Sequence, residues 1–242
     1  MDASIVAYKS QKNLFDRLEI VSNNVANVNT SGFKNELAVY MKPTGTVNGK
    51  PNPIPPMKVA VDLQQGSLKE TGRQFDAAIQ GEGFFQVETP LGPRYTRSGN
   101  FFTDAEGALV TKEGYAVIGD GGPINIDPAD YQITIGEDGT ITALGETGEE
   151  IRGKLGVFKF NDRSQLEKAG NSYFKTEQTA ETAEPVTDYK IAQNMLEESN
   201  VNSVGAMTEM IDISRSVQTV AKIIQDQHQL ERSAVQRIAG TR

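Results

Sequence analysis

Few side chains in this sequence are of a type and spacing that could do chemistry. The one histidine, His228, lies in the run Asp226-Gln227-His228-Gln229, with no second histidine or carboxylate cluster at metal-ligand spacing. A metal or general-base role needs such partners, whereas a solvated or interface histidine does not. Gly81-Glu82-Gly83 invites comparison with a phosphate-cradling loop, but it runs into Phe84-Phe85-Gln86-Val87, which has the character of a strand. Phosphate binding would need a helix N-terminus there, so a tight turn into a strand is the better reading. The adjacent acids Glu149 with Glu150 and Glu197 with Glu198 read as solvated surface in an acidic chain; the two carboxylates of a glycosidase meet only in space. There is no G-x-S-x-G elbow, and a single histidine in a helical run makes no Ser/His/Asp set. With zero cysteines, disulfides, thiol nucleophiles and zinc-thiolate centres are excluded. Asn29-Thr30-Ser31 matches a glycosylation acceptor, a pattern that carries almost no information by itself. The expectation is a protein that is no enzyme, with no metal, no cofactor and no small-molecule substrate.

The totals agree with a folded chain of 242 residues, 37% apolar and 23% charged. A formal charge of -8 and a pI near 4.9 argue against nucleic-acid or anionic-membrane binding, which need a basic surface. Basic partners remain open. The N-terminal segment lacks the basic start, apolar core and cleavage site of a secretory signal, and no window approaches the roughly 18 apolar residues of a membrane span. Export, if it occurs, is expected to use another route.

The elements that must position these residues are legible from spacing. Ala7, Leu14, Leu18, Val21, Val25 and Val28 follow a 3-4 repeat, with Gln11 in the one polar slot, which predicts a helix with a narrow apolar stripe. Ala206, Met210, Ile213, Val217, Val220 and Ile224 repeat the pattern at the other end, and Met207, Ile211, Ala221 and Ile223 widen the face. Asn202 suits the N-cap of this second helix, with Val201 and Ala206 at the staple positions. Between them, Met41 to Met57 holds five prolines and two glycines and reads as an extended arm. From Gly66 to Tyr189, short apolar or alternating runs are cut by turn sequences at Asp104 to Gly107, Gly119 to Gly122 and Glu137 to Gly139, which predicts an antiparallel β domain. Phe84, Phe85, Tyr95, Phe101 and Phe102 are its expected core, and alternation sends one member of each adjacent pair to the opposite face, available to the helices, the arm or another subunit. The expected class is α+β, with terminal helices pairing as a coiled-coil-like domain. The expected divisions are 1–34 (N-terminal axial helix and turn), 35–65 (Pro-rich arm), 66–190 (central β domain) and 191–242 (C-terminal axial helix). An isolated helix with an apolar stripe is marginal in water, so the ends must pair with each other, with neighbouring subunits, or both.

Three blocks in this order carry a resemblance. LEIVSNNVANVNTSGFK, the stretch from GSLKETGRQFDAAIQGEGFFQVET through YTRSGNFFTDAEGALVTKEGYAVIG, and LEESNVNSVGAMTEMIDISRS are similar to the signature, shared β module and C-terminal helix of the flagellar rod and hook protein family. The chain is short for the outer domain of a hook protein. GPINI, GEDGTIT, GKLGVFKF and the ending ERSAVQRIA most resemble the proximal-rod branch, with a distal-rod or hook-family paralogue as the alternative. The resemblance implies a structural subunit that polymerises helically with itself and other rod proteins into a hollow drive shaft spanning the periplasm, after passage through the flagellar type III export apparatus. A chain without cysteine suits that route. The apolar residues of both stripes, with Met207 and Ile211, are then the expected assembly interface. Asn23 and Asn27 lie one turn apart and could bond neighbouring subunits, and the same is expected of Asn24. Asn29 and Gly32 are expected to end the first helix and turn the chain.

Overall fold

The computed structural model describes residues 3–42, 46–47, 50–51, 56–146, 148–160, 166–170, 172–176, 184–185 and 188–239. The chain forms two compact units: one from residues 1–27, 35–62 and 201–242, the other from 28–34 and 63–200.

The first unit contains both helices. Helix α1, Ala3–Ala26, runs 24 residues without glycine or proline. It ends where the Asn27 N–H is shared between the carbonyls of Asn23 (3.1 Å) and Asn24 (3.2 Å), and Gly32 then takes a left-handed φ of 68°. A Cβ there would stand 2.3 Å from the Ser98 nitrogen, so both the conformation and the space require glycine. Helix α2, Ser203–Ala239, has 37 residues. As its sequence indicates, Asn202 is the cap: its side-chain oxygen accepts from the Gly205 N–H at 3.0 Å, and Val201 is buried at the staple position. The Gly32 N–H donates to the Glu197 carbonyl at 2.7 Å and the Asn200 N–H to Phe33 at 3.4 Å. The end of α1 therefore lies beside the start of α2, and the two helices, which are in contact, run antiparallel.

The proposed arm is more ordered at its flanks than the proline count suggests. Glu36–Tyr40 pairs antiparallel with Met57–Val61, from Glu36 opposite Val61 to Tyr40 opposite Met57. Both runs are rich in β-branched and aromatic residues and free of proline, so a ladder closes where the arm was expected to begin and end. Residues 43–45, 48–49 and 52–55 of the arm lie outside the described residues.

In the second unit the strand Phe84–Thr89 is central. It pairs with Gly92–Thr96 across a hairpin, with Ala116–Gly119 and with Val157–Lys159. A three-stranded sheet, Gln132–Ile135, Thr140–Gly145 and Gly148–Lys154, alternates so that Ile133, Ile135, Ile141 and Ala143 join Phe85 and Val87 in one core. Phe101 meets Phe85 edge-on at 5.2 Å. At Gly99, in the Arg-Ser-Gly-Asn turn, a Cβ would lie 1.6 Å from the Ala77 carbonyl oxygen, so only hydrogen fits. The turns have the expected chemistry: the Asp104 carboxylate accepts from the N–H groups of Glu106 (3.1 Å) and Ala108 (2.7 Å), and Gly107, Gly122 and Gly139 have positive φ.

Three expectations need correction here. Phe84 does point opposite Phe85, but it is itself buried, because Phe174 (5.4 Å) and Phe160 (5.9 Å) cover it and Tyr95 stacks edge-on against Phe160 at 4.6 Å. The sheet carries a second aromatic cluster on its other face, leaving no free phenylalanine there; Phe102 is half-buried under the Arg73 guanidinium, 4.4 Å from its ring centre. The first part of the 191–242 segment is not helical: Lys190–Gln193 pairs with Ala77–Gln80 and Met195–Glu197 with Leu68–Glu70. Residues 28–34, counted with the first helix, belong to the β unit. In both cases tertiary pairing overrides the continuity of the sequence pattern.

Candidate assembly interface

Along α1, Leu14, Leu18 and Val25 are half-buried and Val21 is buried. Along α2, Met210, Val217, Val220 and Ile224 are half-buried and Ile213 is 3% exposed. These positions repeat every three or four residues and form the inward stripe of each helix. Ile20, which lies outside the narrow repeat, is buried as well. The Arg17 guanidinium donates to the Glu209 carboxylate across the pair, and that hydrogen bond holds Arg17 above its ordinary value. The Ala7 side chain lies outside the described residues.

One flank of α2 faces outward. Met207 is 50% exposed and Ile211 52% exposed, and Val204 continues this row toward the N-terminus of the helix. Ile223 and Leu230 are exposed further along, and on α1 so are Tyr8 and Phe15, which the sequence reading did not single out although they stand seven residues, two helical turns, apart. The helix lengths add to this. At about 1.5 Å per residue, α1 spans about 36 Å and α2 about 55 Å, so α2 extends past the start of its partner.

The asparagines after Ser22 have tasks within the chain. Asn24 is 4% exposed; its amide nitrogen donates to the Glu36 carbonyl at 2.8 Å and its oxygen accepts from the Glu36 N–H at 2.9 Å. The side chain thus copies the hydrogen bonding of a neighbouring strand and ties α1 to the ribbon. Asn23 donates to the Glu36 carboxylate at 3.1 Å, and Asn27 donates to the Asn23 carbonyl and side-chain oxygen, both at 2.9 Å. The contact with another subunit expected of Asn24 is corrected accordingly, since a buried amide satisfied on both ends has nothing left to offer outward. Asn29 is exposed at the turn, Gly32 is buried, and Val28 is half-buried in the β unit.

The ribbon exposes apolar side chains on both faces: Leu37 and Val39 on one, Tyr40 and Val59 on the other. Apart from its tie to α1 through Asn24, the ribbon leaves these side chains as exposed apolar surface.

The side chains with chemical potential fall elsewhere. His228 is exposed on α2. Glu198 is exposed, but Glu197, read as solvated, is 1% exposed beside Lys34. Glu149 and Glu150 are exposed on an edge strand. No group of three or more histidine, aspartate or glutamate side chains is placed to hold a metal among the described residues, and no helix there is long and apolar enough to cross a membrane.

Antiparallel terminal helices with apolar flanks facing out, an apolar ribbon and an intervening β unit describe a structural assembly subunit. Comparison with known proteins gives the particular family. Residues 11–34 match the model of the flagella basal body rod protein, residues 78–143 that of the flagellar hook protein FlgE/F/G D1 domain, and residues 192–237 that of the C-terminal part of the basal body rod FlgEFG proteins. The flagellar basal-body rod protein FlgF of Caulobacter vibrioides is 40% identical, with 98% of each chain covered. FlgF of Mesorhizobium japonicum is 36% identical over 92% of each chain, and the rod protein FlgG of Bacillus subtilis 31% identical over 88% of this chain and 90% of its own. The chain belongs to the flagellar basal-body rod protein family, whose members are structural subunits of the rod.

Proposed function

We propose that this chain is a proximal-rod subunit that polymerises helically, with its own copies and with other rod proteins, into the hollow shaft that carries torque across the periplasm. The observation that carries the reading is the outward apolar row of Met207 and Ile211 beside a stripe already used within the helix pair. A helix that is apolar on two faces has a second partner. The inward stripes pair α1 with α2 in a coiled-coil manner, and the outward row, the ribbon and the overhang of α2 pack against adjacent subunits. Each leucine- or valine-sized side chain buried there contributes roughly 1.5–3 kcal/mol, so a few offset the ordering of the helical ends. On this reading the ends are frayed in the free chain and fold on assembly. The chain leaves the cell interior through the flagellar export apparatus, for which freedom from cysteine is an advantage. It performs no catalysis and needs no cofactor. The proximal position is favoured over the distal one because the FlgF proteins of Caulobacter vibrioides and Mesorhizobium japonicum, read as proximal-rod proteins, match this chain at 40% and 36% identity, against 31% for the FlgG protein of Bacillus subtilis, read as a distal-rod protein.

The test is electron microscopy of basal bodies from a strain lacking the gene, complemented by the native chain or by Met207→Asp with Ile211→Asp. The null strain should show rings without a completed rod or hook and should not swim. The native gene should restore both, and the double variant neither, although the purified full-length variant melts within a few degrees of the native chain. Completed rods in the null strain would end the reading. A short proximal segment lacking only its distal extension would move the chain to the distal-rod alternative.

A further inference from the structure

The chain passes between its two units four times, after Asn27, Lys34, Asp62 and Asn200. Next to these crossings, inside the β unit, lies a cluster of buried charge. Lys34 and Glu197 have fully buried side chains, and Arg97 nearly so. The Lys34 ammonium donates to one Glu197 oxygen at 2.5 Å and to the Gln64 carbonyl at 2.6 Å. The same Glu197 oxygen accepts from the Gly66 N–H at 3.0 Å, and the other lies 3.4 Å from the Arg97 guanidinium. Arg97 also donates to the Gly81 carbonyl at 2.8 Å and stands over the Phe84 ring. The Glu197 main-chain carbonyl accepts from Gly32 at 2.7 Å, and the Asn200 side chain donates to Gln64 at 3.0 Å.

We infer that Glu197 is a positioning residue that, through its buried carboxylate and its main-chain carbonyl together, gathers the β-unit ends of all four crossings into one clasp. Stability alone does not explain the cluster, because a buried ion pair is often matched or exceeded by apolar residues of the same volume. A carboxylate does what an apolar side chain cannot. It accepts several donors at once from segments distant in sequence, and its charge is balanced by Lys34 from the first excursion and Arg97 from the sheet. The segment after Asn27 joins through Gly32, the one before Asn35 through Lys34, the one after Asp62 through Gln64 and Gly66, and the one before Val201 through Glu197 itself. Opening of the clasp is therefore a local event, separable from unfolding of the β core around Phe85.

Residue-resolved hydrogen exchange on the unassembled full-length chain tests this, with Glu197→Gln as the variant because it keeps the shape and removes the charge. The amides of Gly32, Gly66 and Asn200 should exchange at least tenfold faster than in the native chain, while those of Phe85, Val87 and Ile141 keep their native rates. A uniform acceleration across both sets would make Glu197 an ordinary contributor to global stability, and unchanged rates at Gly32 and Gly66 would remove the clasp altogether; either result overturns the inference. Should Glu197→Gln fail to fold, Lys34→Met, which leaves Glu197 beside Arg97, is measured against the same two outcomes. Because no assembly is involved, failure here leaves the rod-subunit reading standing.

Discussion

At the scale of single residues, the buried polar groups have the most to lose. Asn24 bonds both backbone groups of Glu36, so Asn24→Ala removes two hydrogen bonds of a buried side chain at once. A loss of about 1–3 kcal/mol is expected, against a few tenths for Asn29→Ala at the exposed turn, and denaturant unfolding of the two variants compares them directly. Asp130 tests charge. Its carboxylate takes two hydrogen bonds from Arg152, both 2.8 Å, and these hold its pKa below the ordinary carboxylate value. A depressed folded value means that this contribution is present above the unfolded pKa of about 4 and is lost as pH falls through the folded value. The melting temperature of Asp130→Asn should consequently fall less steeply between pH 5 and pH 3 than that of the native chain.

At the scale of elements, the cap and first turn of α2 suggest a gain. Gly205 is helical and has no positive φ, and a Cβ there would meet the Asn202 side chain no closer than 3.5 Å, an ordinary contact. Gly205→Ala should raise stability by about 0.5–1 kcal/mol through helix propensity and a less flexible unfolded chain, read as a higher denaturant midpoint. The ribbon makes the opposite test. Replacing exposed Val39 and Val59 by threonine preserves β-branching and removes apolar surface. The free chain should melt within a degree or two of native, while cells carrying this gene in place of the native one should swim poorly. Equal swimming would take the ribbon out of the assembly surface.

At the scale of the whole molecule, division into two units has a thermodynamic consequence. Phe85 is fully buried in the core of the β unit, and Phe85→Ala should cost about 3–5 kcal/mol there. The helical unit has its own contacts, so calorimetry should resolve more than one transition, with only the β-unit transition shifted by the substitution. A single transition moving as a whole would show that the units unfold together.

Patterning by itself determined the terminal helices, their inward stripes, the Asn202 cap, the β character of the middle and the three blocks that mark the family. Each is a local property, fixed by the 3.6- and 2-residue periods and by turn residues such as Gly107 and Gly139. Only the tertiary structure decided where local signals were silent or competed. Glu197 reads as one of two surface acids until Lys34, distant in sequence, is folded against it. The asparagines read as an outward-facing row until Glu36 returns to take the amide of Asn24. Alternation only sends Phe84 to the face opposite Phe85, and it takes Phe160 and Phe174 closing over it to make a second core there, while Lys190–Gln193 and Met195–Glu197, counted with the C-terminal segment, become strands because Ala77–Gln80 and Leu68–Glu70 supply hydrogen bonds beside them. The physical reason is the same in each case: burial and pairing depend on residues brought together from far along the chain, and no window of neighbouring residues contains that information.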